Sequence, residues 1–158
     1  MKAFLKSNSK QIGSPTIKIT DSKSESNRLL ILQRLYPNIA IENLSESDDT
    51  KILKQALSSS SRTINVHHAG TAMRFLTAYF ATSVGSEFVL SGSARMHQRP
   101  IKILVDALRD LGAQIEYLEE EGYPPLKIFG KKLKGSSVHV KANISSQYIT
   151  APVSYTHL

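Results

Sequence analysis

The chain has 158 residues, 41% hydrophobic and 21% charged, which suits one ordinary soluble domain or a large piece of a bigger protein. Its 20 Lys and Arg residues against 13 Asp and Glu give a formal net charge of +7, compatible with nucleic acid, an acidic membrane surface or small anionic substrates as partners. The absence of cysteine excludes disulfides, thiolate nucleophiles and Cys-ligated metals. The apolar runs are shorter than the ~20 residues that span a bilayer, and the N-terminus lacks the apolar core of a signal peptide. We therefore expect a cytoplasmic enzyme or binding protein.

Apolar periodicity predicts five helices. The first is buried over 29–35 and ends before Pro37. The second carries Leu53 and Leu57, with a capping box formed by Ser45 and Asp48. The other three are predicted at 71–82, at 101–111 and from about residue 145. The helix at 101–111 has the clearest pattern, with apolar residues at intervals of three and four and a glycine directly after it.

Short runs of alternating or β-branched residues predict strands between these helices. They lie at 17–19, 63–66, 87–90, 115–118, 126–129 and 138–140. The resulting order of strands and helices predicts a mixed α/β (α+β) fold.

Three helix starts carry residues suited to anion binding. They are Lys23–Arg28, Ala69–Arg74 and Ser145–Gln147, each with small hydroxyl or glycine residues where an apolar run begins. A helix start offers unpaired N–H groups and a positive dipole end, which favour phosphate or carboxylate. Each segment taken alone is better explained as an ordinary helix cap or turn. Their repetition in one chain indicates a common anion site.

Two further arginines, Arg95 and Arg99, lie between a predicted strand and the helix at 101–111. Surface exposure without function is an equally good interpretation of this pair. The five histidines show no metal-ligand spacing, so no metal site is expected. Neither a Walker loop nor a dinucleotide fingerprint is present, and no cofactor is expected. Aromatic residues do not alternate with the basic ones, which argues against nucleic acid as a partner.

At these segments the chain resembles the EPSP synthase (3-phosphoshikimate 1-carboxyvinyltransferase) family. The related UDP-N-acetylglucosamine enolpyruvyl transferases have a Lys-Asn start and usually a loop cysteine, both of which are missing here. The segments that carry the resemblance occur in family order and reach Ala151. They are KSESNR at 23–28, SESDDT at 45–50, AGTAMRFLTAYFA at 69–81, SGSARMHQRPI at 91–101, VDALRDLGAQIEYLEEEGYPPLKI at 105–128 and NISSQYITA at 143–151.

The resemblance implies repeated βαβαββ units of the enolpyruvyl transferase fold, here incomplete. Residues 1–20 would belong to the second domain of the full enzyme, and 21–151 would form about two repeat units of the first domain. The tail at 152–158 departs from the family pattern, and Pro152 would disrupt a helix that has barely begun. We expect this tail to be foreign to the family sequence. A genomic read running uninterrupted from codon 151 into this tail and a stop codon would contradict that expectation.

The resemblance also implies a reaction. The 5-hydroxyl of shikimate 3-phosphate adds to C2 of phosphoenolpyruvate while C3 is protonated, and the tetrahedral intermediate then loses phosphate, without metal or cofactor. The full enzyme would be monomeric and would not bind nucleic acid or membrane. This chain would carry half of the site and show weak or no turnover.

Individual roles carry over by position. Lys23 would be catalytic and touch both substrates. Shikimate 3-phosphate would be held by Lys23, Ser24, Arg28, Ser145, Ser146 and Gln147, and phosphoenolpyruvate by Lys23, Gly70 and Arg99. His68 stands where many family members have Asn, which puts that one contact in doubt. The alternative function is a non-catalytic anion-binding or RNA-binding module built on similar βαβαββ units.

Overall fold

The computed structural model of the chain describes residues 20–134. Within that range the chain forms five helices and four strands. In chain order they are α1 (Lys23–Leu35), α2 (Asp48–Ser58), β1 (Thr63–Asn65), α3 (Gly70–Thr82), β2 (Glu87–Ser91), α4 (Ala94–His97), α5 (Lys102–Asp110), β3 (Gln114–Tyr117) and β4 (Leu126–Phe129).

The four strands form one sheet in the order β1-β2-β4-β3. β1 and β2 are parallel and are joined through α3, whereas β4 pairs antiparallel with both β2 and β3. The elements from β1 to β4 therefore make one βαβαββ unit, with the short α4 preceding the second main helix. This topology places the carboxyl ends of β1 and β2 at the same edge of the sheet.

One face of the sheet is apolar and packs against the helices. Its fully buried side chains include Leu90 on β2 with Leu126 and Ile128 on β4. The alternate positions carry polar groups: the Lys127 ammonium on β4 lies 3.0 Å from the Glu87 carboxylate on β2. This alternation with a period of two residues is what a sheet with a single buried face requires.

Helix α3 is the centre of the core. Ten of its 13 residues are buried, among them Phe75 and Leu76. It contacts α1, α2 and α5 as well as β2 and β4. A helix that is apolar nearly all round has to be enclosed on every side. Its N-terminal residue, Gly70, is therefore fixed by the whole core.

Helices α1 and α2 are joined by buried polar contacts. Ser26 and Asn27 are fully buried on α1. The Ser26 hydroxyl accepts a hydrogen bond from the Ser45 amide at 2.9 Å, and the Asn27 amide oxygen accepts one from the Thr50 hydroxyl at 2.8 Å. Because buried polar groups are costly without partners, these bonds fix how the starts of α1 and α2 face each other.

The predicted mixed α/β fold is confirmed, and the elements predicted between residues 20 and 134 all occur, most of them with shifted ends. The buried run predicted at 29–35 belongs to a helix that begins at Lys23, inside the helix start predicted at 23–28. The capping residue predicted for α2 was wrong: Ser47 is the N-cap and its hydroxyl accepts from the Thr50 amide, whereas the Ser45 amide is engaged with Ser26. The one-turn helix α4 was predicted as a loop. The elements predicted at 17–19, at 138–140 and from residue 145 lie outside the described residues.

Candidate anion-binding site

The parallel pair β1 and β2 delivers two functional segments to one edge of the sheet. α3 begins five residues after the end of β1, and the segment carrying Arg95 and Arg99 follows β2. Two backbone hydrogen bonds hold these segments together beyond the strands. The Val66 amide donates to the Ser91 carbonyl at 2.9 Å, and the Ser93 amide donates to the His67 carbonyl at 2.8 Å. Residues about 25 apart in sequence are therefore neighbours at this edge.

The guanidinium of Arg99 lies directly over Gly70. A Cβ atom on Gly70 would lie 2.5 Å from Nη1, 2.8 Å from Cζ and 2.9 Å from Nη2 of Arg99, all inside van der Waals contact. Only glycine permits so close an approach without displacing the guanidinium. The first residue of α3 and the Arg99 guanidinium thus face the same small volume.

A cleft of about 430 Å³ opens beside this contact. It is lined by His68, Arg95, Met96 and Arg99. Met96 is buried and anchors the segment, whereas both arginines are exposed on either side of it. The His68 ring lies 3.6 Å from the Asp48 carboxylate at the start of α2. Two guanidiniums around one cleft favour an anionic ligand.

Lys23 reaches the same region through Asp49. The Lys23 ammonium, half exposed at the start of α1, lies 3.6 Å from Oδ2 of Asp49. Oδ1 of the same carboxylate accepts a hydrogen bond of 3.1 Å from the amide of Thr71, the residue after Gly70. One carboxylate therefore links the starts of α1, α2 and α3.

Ser24 and Arg28 lie on the first two turns of α1. The Arg28 guanidinium donates to the Ser24 carbonyl at 2.9 Å and also to the Ser24 hydroxyl. The spacing of four residues puts both groups on one helix face, as the sequence pattern predicted. This pair presents a hydroxyl and a guanidinium together next to Lys23.

The connection between β3 and β4 contacts residues next to Arg99. The Ile101 amide donates to the Gly122 carbonyl at 2.8 Å, and the Lys102 ammonium donates to the Glu121 carboxylate at 2.7 Å. This hydrogen bond raises the pKa of Lys102 and lowers the pKa of Glu121. His97 of α4 lies 3.4 Å from the Glu119 carboxylate. The residues that flank Arg99 are therefore tied to the sheet on both sides.

The structure brings Lys23, Gly70 and Arg99 together at the edge of the sheet. Ser24 and Arg28 adjoin them on α1, and 145–147 lie outside the described residues. The N-cap of α3 is Ala69, and the Thr71 amide donates to the Asp49 carboxylate.

The residue that sequence reasoning missed is Asp49. Its signal was the acidic pair that opens α2, a common feature of helix starts because carboxylates favour the positive end of the helix dipole. Nothing in that local pattern shows that the Asp49 carboxylate contacts Lys23 on α1 and the Thr71 amide on α3.

The described residues show neither a cluster of metal ligands nor a membrane-spanning helix. Between residues 20 and 134 no group of three or more His, Asp or Glu side chains is arranged to hold a metal ion. None of the helices in that range is long and apolar enough to cross a membrane.

A βαβαββ sheet with helix starts and guanidiniums gathered at one edge defines an α/β protein with a cation-lined cleft at that edge. A sequence model of the EPSP synthase (3-phosphoshikimate 1-carboxyvinyltransferase) family matches residues 53–153, and the chain belongs to that family.

Curated relatives agree with this assignment. The 3-phosphoshikimate 1-carboxyvinyltransferase of Bacteroides fragilis (strain YCH46) is 50% identical over 137 residues, which cover 86% of this chain and 33% of the relative. The enzyme of the same name from Pseudoalteromonas atlantica is 40% identical over 165 residues, covering 87% of this chain and 38% of the relative. The chain thus spans about a third of the length of these relatives.

A solved structure of EPSP synthase from Acinetobacter baumannii superposes with a TM-score of 0.72 at 22% identity, covering 86% of this chain and 36% of that one. The likeness shows that the fold is the enolpyruvyl transferase fold, as the sequence predicted.

Proposed function

We propose that this chain is part of an EPSP synthase of the cytoplasm and contributes half of its substrate site. In the reaction, the 5-hydroxyl of shikimate 3-phosphate loses its proton as its oxygen forms a bond to C2 of phosphoenolpyruvate, and the C2–C3 double bond becomes single as a proton is added at C3. Elimination then breaks the bond between C2 and the phosphate oxygen, removes a proton from C3 and releases inorganic phosphate. Family membership and the relatives' names support this reaction class.

The observation that carries the proposal for this chain is the contact of the Arg99 guanidinium with Gly70 at the start of α3. In the proposed site, phosphoenolpyruvate is held by Arg99, by the backbone at Gly70 and by Lys23. A guanidinium and a helix N-terminus that face the same volume both favour a carboxylate or phosphate and stabilise developing negative charge. The cleft of about 430 Å³ beside them has room for a small metabolite.

Shikimate 3-phosphate is assigned to the start of α1. Ser24 and Arg28 present a hydroxyl and a guanidinium on one face, with the Lys23 ammonium next to them. This combination suits the three acceptor oxygens of a phosphate monoester. Residues 145–147 complete the proposed phosphate site. Lys23 stands between the two substrates and contacts both.

Titration of shikimate 3-phosphate into the purified 158-residue chain, followed by calorimetry or ligand-observed NMR, tests this proposal. We expect saturable binding that Arg28→Ala and Lys23→Ala each weaken at least tenfold, because each removes a charge-assisted contact worth about 1.5–3 kcal/mol.

Lys131→Ala is the matched control. Lys131 is exposed just after β4, and that end of β4 pairs with the amino end of β2, at the sheet edge opposite the site. This variant should bind like the wild type. A chain that fails to bind shikimate 3-phosphate, or one from which oligonucleotides displace it as well as unlabelled ligand does, contradicts the proposed function. The second outcome would favour the RNA-binding alternative.

A steady-state assay with both substrates tests the half-site prediction. We expect weak or no turnover by this chain, because the groups supplied by the other two thirds of the relatives' length are missing. Turnover close to that of a full-length relative would contradict the prediction.

A further inference from the structure

Three helix starts meet at the carboxylate of Asp49. Oδ1 accepts from the Thr71 amide at 3.1 Å, and Oδ2 lies 3.6 Å from the Lys23 ammonium. The Asp49 side chain is only 16% exposed, against 50% for Lys23. A largely buried carboxylate is thus the fixed partner, and the more exposed ammonium is the group that it holds.

The contact with α3 has a physical cause in the sequence. The N-cap of α3 is Ala69, which has no side-chain oxygen to accept from the first free amides of the helix. Asp49 supplies that acceptor from a different helix. Its negative charge is also favoured by the positive end of the α3 dipole.

The position of Asp49 is itself determined by its neighbours. The next residue, Thr50, is buried, and its hydroxyl donates to the Asn27 amide oxygen at 2.8 Å. Asn27 lies on α1, the same helix that carries Lys23. The backbone at Asp49 is therefore fixed relative to α1 and α3 at once, which is what a positioning group needs.

Charge balance points in the same direction. Lys23, Arg95 and Arg99 bring three positive charges to one edge of the sheet, and like charges at close range repel. We propose that Asp49 is a positioning residue, which fixes the Lys23 ammonium beside the N-terminus of α3 so that it can meet an anionic substrate there. This proposal rests on the proposed function in that Lys23 is taken to contact shikimate 3-phosphate. Asp49 acts through Lys23 and does not touch the substrate.

The sign of the effect separates this role from simple electrostatics. A carboxylate beside an anion site repels the anion, so its removal would tighten binding if repulsion were its only effect. Positioning predicts the opposite: once Lys23 is released, binding becomes weaker. With Lys23 already removed, only the repulsion is left, and loss of the carboxylate should leave binding unchanged or tighten it.

Asp49→Asn is the informative substitution. The amide oxygen of Asn still accepts from the Thr71 amide, so the cap on α3 is retained while the charge that holds Lys23 is lost. We expect the thermal midpoint to stay near the wild type and the affinity for shikimate 3-phosphate to fall about three- to tenfold. Asp49→Glu should recover part of the loss, because it restores the charge. Asp106→Asn, which removes an exposed carboxylate on α5, is the control and should have no effect on binding.

A double-mutant cycle with Lys23→Ala completes the binding test. In the Lys23→Ala background, Asp49→Asn should not weaken binding further. Weakening of the same size in both backgrounds would show a general structural effect and overturn the proposal. Equal or tighter binding by the single Asp49→Asn variant would overturn it as well.

A second readout does not depend on the proposed function. Reductive methylation of the intact chain, quantified for each lysine by mass spectrometry, reports how tightly Lys23 is held. We expect Asp49→Asn to increase the labelling rate of Lys23 about two- to fivefold while the rate at Lys131 stays constant. An unchanged rate at Lys23 overturns the positioning role. A failure of shikimate 3-phosphate to bind the wild type, with Lys23 labelling still raised by Asp49→Asn, overturns the proposed function alone.

Discussion

Replacing Gly70 by alanine adds one methyl group at the first residue of α3, directly beneath the Arg99 guanidinium. The new Cβ would lie 2.5 Å from Nη1 and 2.8 Å from Cζ of Arg99. Ordinary contacts between such atoms are about 3.5 Å or longer. The guanidinium therefore has to retreat by about 1 Å from the N-terminus of α3.

This displacement of the guanidinium should weaken anion binding without lowering the stability of the fold. The displaced atoms are the far end of a flexible, exposed side chain, which can move without disturbing the core. Alanine in a helix is favoured over glycine by up to about 1 kcal/mol. We expect Gly70→Ala to leave the thermal midpoint unchanged or to raise it by about 2–4 °C. Loss of a well-placed hydrogen bond to a charged ligand group costs about 1.5–3 kcal/mol, which is roughly a 10- to 150-fold loss of affinity.

The assay combines thermal unfolding by circular dichroism with phosphoenolpyruvate binding measured in the presence of saturating shikimate 3-phosphate. Gly130→Ala is the contrasting variant, because a Cβ there would lie 1.9 Å from the Ser83 carbonyl oxygen, which is backbone and cannot retreat cheaply. It should lower the midpoint strongly. In an Arg99→Ala background, Gly70→Ala should have no further effect on binding. Wild-type affinity for phosphoenolpyruvate in the single Gly70→Ala variant would refute the role given to the Arg99–Gly70 contact.

Two further predictions concern stability. Leu53 is fully buried on α2, and Leu53→Ala should lower the free energy of unfolding by about 2–5 kcal/mol, whereas Lys54→Ala next to it should change it by no more than about 0.5 kcal/mol. Urea unfolding measures both values, and equal effects would contradict the packing. Burial raises the pKa of Tyr117, more than the nearby Arg109 guanidinium lowers it, and within the described residues its buried hydroxyl has no hydrogen-bond partner. The folded state therefore keeps this proton above about pH 10, where the unfolded chain releases it, so the free energy of unfolding is unaffected by this ionisation below pH 10 and falls as the pH rises from about 10 through the raised pKa. Tyr117→Phe should be neutral or stabilising by up to about 1 kcal/mol near pH 7 and should lose less stability above about pH 10 in the same unfolding measurement; an unaltered pH profile would contradict this assignment.

The helices with strong periodicity could be predicted from the sequence because their signals are local. In α5, apolar residues at spacings of three and four fall on one face, and the glycine after Leu111 suits the helix end. Strand β4 was predicted with its observed ends, 126–129, because its alternation is bounded by prolines and a glycine. In both cases the decisive residues lie within one window of the chain.

The capping of α2 and α3 could not be predicted from such a window. Ser45 and Ser47 are both suitable caps by residue type, and the choice between them depends on the Ser45 amide meeting the hydroxyl of Ser26, 19 residues away. The start of α3 depends on Asp49, 22 residues before the amide that it accepts from. Both outcomes are set by packing between helices.

The meeting of Gly70 and Arg99 followed from the resemblance and not from the residues alone. It requires β1 and β2 to be parallel neighbours, so that the segments after them lie at one edge of the sheet. The sequence shows a glycine at one helix start and an arginine 29 positions later, which carries no information on distance. Because β1 and β2 are parallel neighbours in the sheet, Gly70 and Arg99 lie next to each other at one edge.

The chemistry of the described groups explains why this chain should bind substrates better than it converts them. The reaction requires a proton to be added at C3 and removed again, which needs a group that can exchange protons near neutral pH. Arginine does not release its proton in proteins, so Arg28, Arg95 and Arg99 can hold anions and stabilise developing charge but cannot carry out this transfer. Lys23, held against Asp49, adds a charge that reaches both proposed substrates. The described edge of the sheet is therefore rich in groups that bind phosphate and carboxylate, and among the side chains that line the cleft His68 is of the type that exchanges protons near neutral pH. Binding without turnover is the behaviour expected of a chain that spans about a third of its relatives' length.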